Sequence, residues 1–349
     1  MKCDESRTPI PSASRGIVRI SVGMVVVVAT YWIFLFATGR SLRHAFAADK
    51  EPADWGSDHV GEPLPEYITG DECLFCHRAT IGNAWSNNRH QRTIRDFADD
   101  PRWNDELEAA GDAKALAGQA TLLLGSGKRA VGLLKPNGKY NQLSLFSAWL
   151  DFTAEGKEEW LQLANAHWEE NSFADECVGC HATAVDPENR AYSALSLDCY
   201  ACHGEVDVEH TKDASLALLN VKQPGSPKVV TSICAQCHLR GGKSKSLGTP
   251  YPNNFVAGDN LLRDYEYDFS PAAIEKLDPN ERHIVENVRD VALLGRESVT
   301  CLTCHDVHKS SSRKHAKLEE NDSCVTCHEP GSPKSETKPF ANHNKTCRY

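Results

Sequence analysis

Methionine is almost absent from this 349-residue chain: Met1 and Met24 are the only two, and both precede residue 48. A metal bound beyond that point has no methionine sulfur to call on, and histidine is the ordinary replacement. Aromatic residues make up only 8% of the chain, so side chains alone would build a thin core. Positive charge is short as well. The formal net charge is −10, and beyond residue 47 there are 32 Lys/Arg against 46 Asp/Glu, a balance that excludes nucleic acid and anionic lipid as electrostatic partners. A phosphate-binding loop is missing. Gly125-Ser126-Gly127-Lys128 has Leu122 where the first glycine would stand and Arg129 where Ser/Thr is required, so it reads as a turn.

Cysteine and histidine are what the chain has instead. Of 14 cysteines, twelve fall in repeated Cys-x-x-Cys-His units. These are Cys73/Cys76/His77, Cys177/Cys180/His181, Cys199/Cys202/His203, Cys234/Cys237/His238, Cys301/Cys304/His305 and Cys324/Cys327/His328. The unit is the attachment signal of c-type haem: two cysteines form thioethers with the vinyl groups and the adjoining histidine ligates the iron. Zinc sites place their histidines in a second half-site rather than beside every cysteine pair. A redox dithiol needs one motif in a βαβ context. Six repeats therefore predict six covalently attached haems, whose apolar surface supplies the core that the side chains lack.

Without methionine, the His/Met ligation that raises haem potentials is excluded, and the irons are expected to be low-potential and mostly bis-histidine. The chain has 15 histidines; six follow a cysteine pair and His44 lies near the amino end. The remainder are the candidate distal ligands. His90, His210 and His308 lie shortly after a motif, and His283 starts a helix-like run. His59, His167, His315 and His343 complete the set. Cys3 and Cys347 stand outside the motifs, and Cys347 reads as a free or intermolecularly paired thiol.

The amino end, residues 1–47, is basic and carries an apolar run, Ile20 to Thr38, that as a helix would span about 29 Å, the thickness of a bilayer core. Ala45-Phe46-Ala47 is a cleavage signature. Two readings stay open: an uncleaved anchor in the inner membrane, or a soluble protein after cleavage at Ala47. Both place the rest in the periplasm or its equivalent. Residues 48–70 read as a linker, and 71–349 as the haem-bearing domain with a haem-free insert over 100–170.

Within that insert the pattern predicts helices over 105–117 and 158–170 and a small β-hairpin element around 121–146. Residues 249–280 look irregular, 281–294 helical and 329–349 a polar tail. The expected class is a mainly α and irregular fold with a haem-packed core.

Cys177-Val-Gly-Cys-His-Ala-Thr, then Cys199-x-x-Cys-His-Gly and His210, resembles the cytochrome c-554-like multihaem cytochromes. Trp85-Ser86 with His90, the hairpin after Leu124, and Cys301-x-x-Cys-His-Asp-Val-His308 are similar to elements of the same group. The likeness covers residues 70–330. It implies closely packed haems, with His90, His210 and His308 ligating haems other than their own. The expected function is electron relay between donor and acceptor redox proteins. The alternative is a reductase of a small nitrogen or sulfur compound at one five-coordinate haem.

Overall fold

The first helix, α1 (Gly70–His77), starts where Thr69 accepts a hydrogen bond from the Glu72 amide and where Asp71 and Glu72 face the positive end of the helix dipole. It carries the first Cys-x-x-Cys-His unit. The computed structural model describes residues 58–60, 62–100, 103–125, 130–151, 159–220, 225–296 and 300–309, all within the unit Ala53–Tyr349. The leader 1–47, most of the linker, the sixth motif (Cys324, Cys327, His328), His315 and His343 lie outside them. Among the described residues no helix is long and apolar enough to cross a membrane.

An antiparallel sheet follows, built from β1 (Ile94–Asp96), β2 (Leu122–Leu124), β3 (Ala130–Pro136), β4 (Leu143–Phe146), β5 (Trp149–Asp151), β6 (Glu159–Leu161) and β7 (Trp168–Glu169). The order is β1-β2-β3-β4-β7, with β5 paired to β3 and β6. Leu123 lies opposite Leu133, Leu134 opposite Leu145, and Phe146 opposite Trp168. Successive strand residues face opposite sides, and here both sides are apolar. Leu123, Val131, Leu133, Phe146 and Leu150 pack with Trp103, Ala113 and Ala117 on one side. On the other, Ile94, Leu124, Leu134, Leu143 and Leu145 pack with Phe173, Val178 and Tyr251. Val178 lies inside the second motif, so this face of the sheet is the floor of that site.

The hairpin expected over 121–146 is thus the middle of a larger sheet. Its outer strands run two to four residues, too short for a period-two pattern to stand out in sequence. The helix expected over 158–170 is instead β6, a 3-10 turn (Leu163–Asn165) and β7. Gln162 takes φ +61°, which no α-helix admits, and Trp160 and Trp168 pack against the sheet core. The helix expected over 105–117 is broken at Gly111, where φ is +55°.

Motifs two to five sit on helices α2 (Val178–His181), α3 (Cys199–His203), α4 (Pro227–His238) and, after the long helix α5 (Pro279–Val288), α6 (Cys301–Cys304). A two-stranded ribbon, 182–186 with 191–195, joins α2 to α3. A third core unites α4 and α5 through Val229, Ile233, Leu261, Tyr265, Val285 and Val288.

The 249–280 region is held by a buried carboxylate. Asp264 accepts hydrogen bonds from the Ser246 amide (3.1 Å), the Ser246 hydroxyl (2.7 Å) and the Asn253 amide (2.8 Å). Burial pushes its pKa up, but these bonds outweigh burial and leave it below the ordinary carboxylate value. A depressed folded pKa stabilises above the unfolded value of about 4 and is lost as pH falls through the folded one. Asp264→Ala is expected to cost about 3 kcal/mol in denaturant unfolding at neutral pH. It should also flatten the decline in stability below pH 4.

Candidate haem attachment sites

In a helix the first cysteine, the second cysteine and the histidine of Cys-x-x-Cys-His lie at i, i+3 and i+4, on one face. The chain supplies the signals that make each motif helical. Asp198 caps α3 by accepting from the Tyr200 amide. Ser226 caps α4 through the Val229 amide, with Pro227 in the first turn. Gly179, between the two cysteines of the second motif, packs so closely on Tyr251 that a Cβ there would overlap the ring. Tyr251 is buried, and its hydroxyl donates to Ala174 O at 2.5 Å.

The attachment helices pack on one another. Cys73 lies within hydrogen-bonding reach of Cys199, Cys180 of Cys237, and Cys234 of Cys301. Gln236 of α4 donates to Ala201 O of α3 at 3.1 Å. Motifs one and three are therefore neighbours, and motif four touches motifs two, three and five.

Asp198 does more than cap α3: it also accepts from the Gly70 amide and from the Tyr67 hydroxyl. One carboxylate thereby fixes the chain before α1, the start of α1 and the start of α3. Burial, then the bond to Asp198, pushes the Tyr67 hydroxyl well above its usual pKa. Burial likewise raises that of Asp198.

Three histidines that follow cysteine pairs face three distant ones. His77 and His210 have ring centres 6.1 Å apart with planes at 17°. His203 and His308 are 6.0 Å apart at 7°, and His90 and His238 are 6.2 Å apart at 83°. Metal–nitrogen bonds of ~2 Å, with each nitrogen ~1.1 Å from its ring centre, put two imidazoles on opposite faces of one metal ion ~6.2 Å apart. All three pairs have that spacing. Burial, with the neighbouring His308, His77 and His210, pushes the His203 pKa down to about 4, which keeps the ring in the neutral form that ligates.

Other candidates are placed differently. His181 is held near a pKa of about 4 by burial and by the Arg240 guanidinium. Among the described residues no imidazole faces it at the spacing of the three pairs. His59 Nδ1 lies 3.0 Å from both Asp259 oxygens. His167 sits at the sheet edge, with Nδ1 2.8 Å from Asn165 O and Nε2 3.5 Å from Glu169 Oε1. His283 is exposed in the first half of α5, and His305 follows α6. The sequence reading overlooked Asp198, Tyr251 and Asn88. Asp198 had a signal, an aspartate just before a helical motif, whereas Tyr251 had none.

The family model described as cytochrome c554 and c-prime matches residues 137–204, and one described as a doubled CXXCH motif matches residues 295–333. Together the two matches support a multihaem cytochrome c family for the chain. The first match carries motifs two and three, and the second carries motifs five and six. No curated protein and no solved structure matches the chain. Its first match begins within the sheet, so β4–β7 fall inside the segment that the family describes.

If the three imidazole pairs ligate haem iron, the angles between their planes predict the ferric spectrum. Near-parallel imidazoles split the iron d orbitals strongly and give a rhombic low-spin signal, whereas perpendicular ones leave them nearly degenerate and give a single large g value. Low-temperature EPR is expected to show both types, and His90→Ala should remove the large-g signal alone. Separately, Gly179→Ala overpacks the second motif, and a cost of about 1–3 kcal/mol is expected. Mass spectrometry should show incomplete haem attachment at Cys177 and Cys180.

Proposed function

We propose that the chain is an exported hexahaem cytochrome c that relays single electrons between a membrane-side donor and a terminal acceptor. The observation that carries this reading is the set of three imidazole pairs at metal-bridging distance, each with one member on an attachment helix that touches another attachment helix. Haem iron, when bound, supplies a one-electron ferric–ferrous couple. The chain's own residues do the rest. His77, His203 and His238 would hold the proximal side and His210, His308 and His90 the distal side, and a metal so ligated on both faces would have no open position for bond chemistry. The contacts between motifs one and three, three and four, two and four, and four and five define a connected path. Cys76 is the exposed one among the described cysteines, which makes the first motif the place where a partner protein reaches the array.

A second reading is favoured by one feature. His181 faces no imidazole among the described residues, and the Arg240 charge acts on it. A haem held by His181 would find no second imidazole among the described residues, and an iron left open in that way would supply the chemistry of a reductase of a small nitrogen or sulfur compound.

Carbon monoxide separates the two readings. Uniform low-spin spectra without a shift on adding it to the ferrous protein would establish a sealed relay. A high-spin ferric component with about one haem in six binding carbon monoxide would move the reductase reading to the front, and His181→Ala should then abolish that component.

A further inference from the structure

Asn88 is fully buried, two residues before His90, and all of its side-chain bonds go to the segments that bear distal histidines. Its Oδ1 accepts from the His90 amide at 2.9 Å. Its Nδ2 donates to Val307 O at 2.5 Å and to Lys309 O at 3.1 Å, the two residues that flank His308. The partners fix the amide's orientation, since two carbonyls can only accept and one N–H can only donate. His90 faces His238 of motif four, and His308 faces His203 of motif three. These motifs lie on α4 and α3, which Gln236 and Ala201 join.

We infer that Asn88 is a positioning residue shared by two haems: one amide sets the approach of the distal ligand to motif three and to motif four together. Three hydrogen bonds to an otherwise unpaired buried amide resist displacement, because any bond broken leaves a polar group without water. A shift in one ligand loop is therefore passed to the other. Other contacts on the His308 loop are weaker anchors. The His308 amide donates to Asp306 Oδ1 at 3.3 Å, and the Trp85 ring meets the His308 ring edge-on at 6.5 Å. The inference rests on the bis-histidine reading above.

Two substitutions take the amide apart. Asn88→Ala removes both arms. Asn88→Ser keeps a hydroxyl able to accept from the His90 amide in a local turn, but is too short to reach Val307 and Lys309. The purified holoprotein of each is examined by ferric EPR, ferrous carbon monoxide binding and spectroelectrochemical titration.

Asn88→Ala is expected to weaken the large-g signal and one rhombic signal together, and to shift two midpoint potentials. Asn88→Ser should leave the large-g signal and alter one rhombic component only. Unchanged spectra and potentials in a folded Asn88→Ala protein would overturn the inference. So would an Asn88→Ser protein in which both signals change alike, or every haem changes. If Asn88→Ala fails to accumulate, Asn88→Ser decides alone by the same criteria. His90→Ala and His308→Ala are the controls: if neither creates a high-spin iron, the ligand reading itself has failed, independently of Asn88.

Discussion

The structure depends on imidazole pairs whose members stand more than a hundred residues apart in sequence. Each pair demands a fixed separation and a common axis, a far narrower condition than apolar contact, which tolerates sliding and repacking. His77 with His210, His203 with His308, and His90 with His238 tie the start, middle and end of the described chain to one another. Helix α3, five residues long, could not persist alone; its cap on Asp198 and the facing of His203 on His308 anchor it. Closing such long loops also costs entropy, which ligation and covalent attachment can offset.

Around this frame the protein invests in rigid polar anchors rather than in a large core. Asp198, Asp264 and Asn88 are buried or half-buried groups with every strong bond directed at backbone or at one other side chain. Each fixes a loop that apolar packing would leave free to shift. The sheet serves a related purpose. Its strands are short, but both of its faces are apolar, so it joins the Trp103 cluster on one side to the second motif on the other.

The chemistry was legible in the sequence because Cys-x-x-Cys-His is a local pattern with one dominant use. The scarcity of methionine likewise pointed to histidine before any coordinate was known. Which histidine meets which motif was not legible: the family resemblance implied only that His90, His210 and His308 serve haems other than their own, since pairing across so many residues leaves no local trace. The sheet was partly legible. Leu122–Leu124 and 130–136 carry strand-forming runs, whereas β6 and β7 sit in a stretch rich in Glu, Leu and Ala that also reads as helix. There Gln162 and the two tryptophans decide for the sheet, a tertiary preference over a local one. Asn88 illustrates the remaining gap: its neighbour His90 was visible, but its two carbonyl partners lie 219 and 221 residues away.

The crossed pairing has a consequence for the order in which the molecule can be made. A chain emerges amino end first, so the first motif is available for attachment long before His210 exists, the third before His308, while His90 waits for His238. During that interval each early haem would be held on one face only, and open on the other to any small ligand or oxidant nearby. On the bis-histidine reading the maturing protein would therefore pass through a reactive adolescence that the later histidines close, and a cell that makes it would have to hurry the later segments or shield the earlier ones.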